Sequence, residues 1–329
     1  MDIKHGIKII GTGSYTPETV VKNSDFSEYM DTDDEWIYSR TGIKERRFNT
    51  GKTNFFMAGE AAKRALDSAG AKPEEIDMII VSTASPDFFY PSAACLVQNI
   101  IGAKNAAALD VSAACAGFIY ALDVARNYLF AGKYKKIMVI ASEFLSRQFD
   151  FYDRTVSVLF GDGAGCVIIG GSRRPYASVL GAAGEGCSDM KLFCKANYGM
   201  NVPFAKTADK EEQDPYIRMN GKDVYKFAVD IMPKAVKEVC PQAGFALSDV
   251  DLLIPHQANI RIINSAMKDL GIPAEKVFLN IEKRGNISSA CIPVCLDELN
   301  RAGKLRDGAR ICAVAFGAGF TYGAAAFEL

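Results

Sequence analysis

The residues best suited to covalent chemistry lie around Cys115, in the run Asp110-Val-Ser-Ala-Ala-Cys-Ala-Gly117. The apolar stretch from Ala106 to Val111 reads as a strand, and a helical pattern opens near Ala116. This places the thiol at a helix N-terminus. There the unpaired backbone N–H groups and the positive end of the helix dipole favour a thiolate, which predicts a lowered pKa and a nucleophile. Small neighbours leave the backbone bare around the sulfur, as a close substrate approach requires. The same placement also suits a buried structural cysteine.

A nucleophile needs donors for the charge that develops on its substrate, and the chain has only two histidines. His5 precedes the first apolar run. His256 follows Leu252-Leu-Ile254 in Pro255-His-Gln-Ala-Asn-Ile-Arg261, so it emerges at a strand end, where α/β proteins commonly place reactive groups. A structural role for this imidazole stays open. Asn286, in Arg284-Gly-Asn-Ile-Ser-Ser-Ala-Cys-Ile-Pro293, sits in a turn leading into a helix. Asparagine forms turns by default, yet its amide can also donate to an oxyanion without titrating.

The elements that must position these groups repeat along the chain. At an offset of 174 residues, Ala61-Ala-Lys63 aligns with Ala235-Val-Lys237, Ala69-Gly70 with Ala243-Gly244, Ile76-Asp77 with Val250-Asp251, and Leu122-Asp123 with Leu296-Asp297. A register kept through helix, strand, helix and strand argues for an internal duplication. Within each half, a helical pattern (Gly59 to Ser68) precedes a short buried strand (Ile76 to Ser82), and the order recurs from Val224 to Ile254. Alternating helices and continuous apolar strands imply an α/β fold with mixed or parallel sheets covered by helices. Turn residues in Gly170-Gly-Ser-Arg-Arg-Pro175 put a boundary near there, giving halves 1–174 and 175–329. Asn286 falls on the counterpart of the Cys115 loop, so the thiol and the amide can converge between the halves.

Composition excludes several classes of function. With 329 residues, 49% of them hydrophobic, and a net charge of −1, the chain reads as a globular enzyme with no overall electrostatic reason to bind nucleic acid. No apolar run approaches the ~20 residues of a membrane span, and the start lacks the pattern of a signal peptide, so a cytoplasmic location is expected. Nine cysteines without a C-x-x-C pair, together with so few histidines, leave no zinc pattern and fit a reducing compartment. Cys291 and Cys295, four apart on a helix, read as core packing.

Asp110 to Gly117, Pro255-His-Gln-Ala-Asn259, Gly285-Asn286, Phe316-Gly-Ala-Gly-Phe-Thr-Tyr-Gly323 and Asp31-Thr-Asp-Asp-Glu-Trp-Ile-Tyr-Ser-Arg-Thr-Gly42 together resemble the β-ketoacyl-acyl carrier protein synthase III family, from Ile7 to Leu329. The resemblance implies the thiolase fold, a layered αβαβα arrangement of two similar halves, normally a homodimer. It also implies a reaction. Acyl-CoA acylates Cys115, then malonyl-acyl carrier protein decarboxylates and condenses to give a 3-oxoacyl-carrier protein, with CoA as substrate and no resident cofactor. His256 and Asn286 would hold the malonyl thioester oxygen, while the backbone N–H groups of Cys115 and Ala318 form an oxyanion hole. Ala318 stands where the family usually has glycine, Tyr322 where it often has tryptophan, and Ile287 where it often has threonine.

By the same resemblance, Trp36 and Arg154 hold the CoA adenine, with Thr32 and Arg40 near it and Asn220, Gly221 and Asn259 along the pantetheine arm. Gln257, Ala258, Asn259, Ile260 and Arg261 correspond to a segment that contacts carrier protein. Arg261, Lys226 and Lys268 would then offer an acidic carrier a positive patch, although a solvated helix face explains those lysines equally well. Tyr90 falls where the partner subunit closes the acyl pocket, or else it packs in the core beside Phe88 and Phe89. The polar stretch 185–213 is an inserted loop, either a pocket cover or a surface excursion.

Rival classes fit less of the chain. Gly11-Thr-Gly13 after a strand suggests a nicotinamide site, but the third glycine is missing and Pro17 interrupts the helix. A cysteine hydrolase gives Asn286 no role. A starter-unit or polyketide-type enzyme of the same fold, using another acyl-CoA, shares all three polar groups.

Overall fold

Alternate residues of the apolar strands face opposite ways, and both faces are buried. The computed structural model describes residues 6–187, 191–194 and 214–329. His5 and most of the 185–213 stretch fall outside the described residues. Strand β1 (Gly6–Tyr15) leads to a ribbon of β2 (Thr19–Lys22) and β3 (Glu45–Phe48), and helix α1 (Asp34–Thr41) stands between these two strands in the chain. Then come α2 (Asn54–Ala69), β4 (Met78–Ser82), α3 (Ala93–Ile101), β5 (Ala107–Val111), α4 (Gly117–Phe130), β6 (Lys136–Glu143) and β7 (Gly163–Ser172). The first sheet has the order β1-β7-β6-β4-β5, with β4 parallel to both β5 and β6 and with β7 antiparallel to β6 and β1.

The second sheet repeats this pattern. After β8 (Tyr176–Ala182), a ribbon of β9 (Leu192–Cys194) and β10 (Ile217–Met219), and α5 (Gly221–Gln242), the chain forms β11 (Leu252–Pro255), α6 (Ile260–Leu270), α7 (Ile281–Arg284), α8 (Cys291–Arg301), β12 (Arg310–Gly317) and β13 (Thr321–Glu328). Its order is β11-β12-β13-β8, with β11 parallel to β12 and the other pairs antiparallel. A fifth strand is reduced to one parallel bridge between Leu253 and Val277.

The 174-residue offset survives in detail. Asp77 and Asp251 are counterparts. The N–H of each donates at 2.9 Å to the carbonyl of the residue opening the next strand, Lys136 or Arg310. Each carboxylate takes that residue's N–H back at 2.9 Å. Helices α4 and α8, which start at counterpart positions, are each preceded by a short 3₁₀ turn, Ala114–Ala116 and Ser288–Ala290. These turns contain the two non-glycine residues with positive φ among those described, Ala114 at 46° and Ser288 at 50°.

Burial sorts the elements into five layers. Ile79, Val81, Met138, Ile140, Cys166 and Ile168 pack under α2 and α3. Their neighbours Met78, Ile80, Ile137, Val139, Val167 and Ile169 face the other way, joining α4, α8 and the inner face of the second sheet through Ile311, Ala313 and Ala315. Cys312, Val314 and Phe316 then face α5 and α6. The central pair of helices is covered on both sides, which explains why α8 buries nearly every residue from Cys291 to Leu299, Cys295 included. Its one deeply buried acid, Asp297, accepts from Thr12 Oγ1 at 2.9 Å, Ser14 Oγ at 2.6 Å and Arg301 Nη2 at 2.8 Å, so its charge is met on every side. The architecture is the thiolase fold, αβαβα, in two similar halves. Among the described residues no helix is long and apolar enough to cross a membrane.

Candidate active site

The two counterpart turns meet at the centre of the molecule. Cys115 lies in the 3₁₀ turn between β5 and α4, and Gly317, at the end of β12, presses its backbone against it. A Cβ on Gly317 would fall 2.6 Å from the Cys115 nitrogen and 3.1 Å from the Ala116 nitrogen, so no larger residue fits there. Thr321, which opens β13, holds the Cys115 turn as well, its Oγ1 donating to Ala113 O at 2.9 Å. Across the gap, Ser288 Oγ is 3.2 Å from Cys115 Sγ.

A cavity of about 290 Å³ opens onto this point, lined by Cys115, His256 and Asn286 together with Trp36, Arg40, Arg154, Gly221, Ala258 and Asn259. His256 is 1% and Asn286 5% exposed, whereas Arg40, Arg154 and Gly221 are exposed. The cavity therefore runs from a charged rim to a polar floor built from both halves.

Each floor residue is fixed by backbone. His256 follows β11 directly, and its N–H donates to Val314 O at 2.7 Å, extending the parallel pairing with β12 by one residue. Its ring meets Phe316 edge-on at 5.6 Å. Burial pushes the imidazole down to about 3, so it is neutral at any working pH. The Asn286 N–H donates to Leu159 O and its carbonyl accepts from Gly161, both at 2.9 Å. Its Oδ1 accepts from Ser288 N at 2.9 Å, which leaves the amide NH₂ as the end available to a ligand.

The thiol departs from expectation. The helix-start placement holds, since α4 begins at Gly117, but burial pushes the Cys115 thiol up to about 12. Ser288 partly opposes this, and the nearby Glu143 carboxylate reinforces it. The local dipole argument missed desolvation and an acid 28 positions away in the chain. Sulfur at this site rests as a thiol and must lose its proton during attack.

At the rim, Asp33 caps α1 by accepting from Trp36 N at 2.6 Å, which sets the indole in place. Arg40 and Arg154 both lie over the Trp36 ring, at 4.5 and 5.0 Å from its centre. Arg154 is held there by Asp31 O at 3.0 Å. Two guanidinium groups around one indole make a surface suited to a flat, anionic ligand. Thr32 and Asn220 do not line the cavity. Asn220 instead caps α5, accepting from Asp223 N at 3.4 Å. Asn259 both lines the cavity and caps α6, through Arg261 N at 2.8 Å.

Three sequence expectations change. Gln257 was expected at a carrier-protein surface, yet it is fully buried. Its Nε2 donates to Pro255 O at 2.7 Å and Phe278 O at 3.3 Å, and its Oε1 accepts from Asn280 N at 3.1 Å and Ile281 N at 3.2 Å. It braces the His256 strand end against the chain leading to Asn286. Gln257→Ala, which strands these groups, should cost about 2–4 kcal/mol in denaturant unfolding. A loss below about 0.5 kcal/mol would contradict this bracing role. Ala258 is likewise buried and faces the cavity, so the exposed part of that segment begins at Asn259 and Ile260 and centres on Arg261. Tyr90 is 88% exposed and Phe89 69%, so neither belongs to the core, and Tyr90 does not line the cavity of its own chain.

Ala318 needs no left-handed backbone, so its methyl is unstrained where the family usually has glycine. Ile287 is buried at 3%. Sequence reasoning missed Glu143 and Ser288, both of which act on the thiol. The pairing of Ser288 with Ala114 across the offset was the signal available for the second.

The fold and this two-half cysteine site define a condensing enzyme of the thiolase class. Models of the 3-oxoacyl-[acyl-carrier-protein] synthase III family match residues 109–184 and, for its C-terminal part, 240–329. The chain is 48% identical to the β-ketoacyl-[acyl-carrier-protein] synthase III of Clostridium acetobutylicum over 97% of both chains. It superposes on the crystal structure of 3-oxoacyl-[acyl-carrier-protein] synthase III from Aquifex aeolicus with a TM-score of 0.90 at 44% identity, covering 98% of this chain and 100% of that one. The priming β-ketosynthase of the R1128 polyketide pathway superposes equally well, at a TM-score of 0.90 but 34% identity, over 100% of this chain and 98% of that one. The chain belongs to the 3-oxoacyl-[acyl-carrier-protein] synthase III family.

Proposed function

We propose that this protein takes an acyl group from acyl-CoA onto Cys115 and condenses it with malonyl-acyl carrier protein, giving a 3-oxoacyl-carrier protein, CoA and CO₂, the first condensation of fatty acid synthesis. The observation that carries this reading is the single cavity in which Cys115, His256 and Asn286 meet beneath a rim of Trp36, Arg40 and Arg154. Residues 1–174 supply the nucleophile, and residues 175–329 supply the two polar donors. The Cys115 and Ala318 N–H groups hold the oxyanion of the acylation step. The neutral His256 imidazole and the Asn286 amide hold the enolate oxygen left when CO₂ departs.

CoA acts as a substrate and not as a resident cofactor. Its adenine stacks against the surface formed by the Trp36 and Arg154 side chains, and its arm passes Gly221 and Asn259. The acidic carrier docks on Arg261, with the exposed Lys226 of α5 and Lys268 of α6 adding positive charge. The protein acts in the cytoplasm as a homodimer. Strand β5 is an edge of its sheet with residues open to solvent, and the exposed Tyr90 lies on the loop before α3, free to reach a partner's acyl pocket.

The test is competition among straight, branched and longer acyl-CoA primers with malonyl-carrier protein as acceptor, reading the carrier-bound product by mass spectrometry. A 3-oxoacyl-carrier protein from at least one primer is expected. Absence of any such product from all primers would reject the reading. Exclusive use of an unusual primer would mark a specialised starter enzyme.

A further inference from the structure

Arg218, in the middle of β10, meets three carboxylates. Its Nε and Nη2 donate to the two oxygens of Asp214 at 2.7 and 3.3 Å, while its Nη1 donates to Asp150 at 3.1 Å and to Asp153 at 3.4 Å. Asp214 is close by in the chain. Asp150 and Asp153, by contrast, belong to the first half, in the loop that carries Arg154 to the cavity rim. On either side of Arg218, Ile217 packs with Phe149, Val156 and Val158, and Met219 lines the cavity. All four charged groups are partly open to solvent, so these pairs add little to stability, and their importance lies in where they hold charge.

The loop is already folded by its own acids. Asp150 Oδ1 accepts from Tyr152 N at 3.1 Å, and Asp153 Oδ1 accepts from Thr155 N at 2.9 Å and Thr155 Oγ1 at 2.6 Å. Arg218 takes the other oxygen of each carboxylate, Oδ2, so the turn does not need it in order to form. What it meets is their charge. Arg154 follows Asp153 directly, and the turn closed by Asp153 N on Asp150 O at 2.9 Å keeps Asp150 near as well. Among the described residues Arg154 nevertheless forms no ion pair, and Arg218 is the one cation paired with Asp150 or Asp153. The Arg154 guanidinium lies instead over the Trp36 ring, 5.0 Å from its centre, and donates to Asp31 O at 3.0 Å.

We propose that Arg218 is a positioning residue for CoA: by occupying Asp150 and Asp153 it keeps the Arg154 guanidinium on Trp36 and free to meet the adenine and phosphate groups of the ligand. The inference rests on the reading of this rim as the CoA site. Without Arg218, two carboxylates stand unpaired beside the one guanidinium of their own loop. Arg154 then turns to them. The indole loses a cation from its face, and the positive charge that faced an anionic ligand is closed into an ion pair. Arg40, which reaches the same ring from α1, is untouched, so binding weakens without vanishing. Arg218 itself touches no ligand in this scheme.

Trp36 is the only tryptophan of the chain, so its fluorescence reports directly on a ligand stacked there. The test titrates CoA into the wild type, Arg218→Gln, Arg154→Gln, the double variant Arg218→Gln/Arg154→Gln, and Arg218→Gln with Asp150→Asn and Asp153→Asn, reading Trp36 quenching and checking each Kd by calorimetry. Arg218→Gln should bind CoA roughly 10-fold more weakly. The double variant should be no weaker than Arg154→Gln alone, because both changes remove the same guanidinium from the ligand. Asparagine keeps the Oδ1 that folds the turn and removes the charge, so the third variant should recover to within about 3-fold of wild type. Wild-type affinity in Arg218→Gln, losses that multiply in the double variant, or a loss that persists once the acids are neutral would each overturn the proposal, the last two being what a merely structural clamp gives. If Arg218→Gln shows no cooperative thermal transition, Arg218→Lys carries the same comparison, with a loss of about 3-fold because a point charge serves one carboxylate at a time. A wild type whose Trp36 fluorescence and calorimetry do not respond to CoA would instead reject the rim as the CoA site.

Discussion

Exchanging Cys115 for serine should eliminate the acyl-enzyme, lowering transfer of radiolabelled acyl group from acyl-CoA to protein by roughly 10³-fold or more. The site already pushes a thiol up to about 12. A hydroxyl starts from a far higher pKa, and the same desolvation acts on it, so its oxyanion is out of reach. The fold should be untouched, because serine keeps the contact with Ser288 and removes little volume. An unchanged thermal midpoint alongside lost labelling is the expected pair of results. Label retained on the serine variant would move the nucleophile elsewhere.

His256→Ala should behave in the opposite way, keeping acyl loading within a few-fold while malonyl-carrier decarboxylation falls by roughly 10²–10³-fold. The imidazole is held neutral by burial, so its service is an N–H donor aimed at a developing enolate, not a proton carrier. For that reason the decarboxylation half-reaction should show no titration from this residue between about pH 5 and about pH 8. Asn286→Ala should give the same split, since the amide NH₂ is the free end of a side chain whose oxygen is already engaged by Ser288. The two half-reactions can be read separately, one by label on protein and the other by released CO₂. Equal loss of both in His256→Ala would mean that the histidine shapes the cavity without addressing the malonyl group.

The repeat was legible because its elements carry their own local chemistry twice over. Asp77 and Asp251 each follow an isoleucine or valine just before a buried strand, and each captures the backbone of the strand beside it. The convergence of Cys115 and Asn286 followed from that register alone. His256 was legible because a polar residue at the end of an apolar strand has few other uses. Gln257 was not, since a glutamine beside a histidine in a polar run looks like surface until its four backbone partners are seen. Glu143 gave no signal at all, because a single acid closing a strand becomes informative only once serines from another half close around it. For Tyr90 the sequence left two readings, closing a partner's acyl pocket or packing in the core beside Phe88 and Phe89, and the exposure of all three rings removes the second.

Ala114 and Ser288 adopt a backbone angle that glycine would accept without cost, and each sits beside a group the reaction needs. A glycine at Ala114 would relax its turn but let the peptide carrying the sulfur wander, and a glycine at Ser288 would relax its turn while deleting the hydroxyl that touches the sulfur. Conformational comfort and reactivity are therefore opposed at two mirrored points of the chain. Attempts to harden this protein against heat will gain most when they leave both points alone.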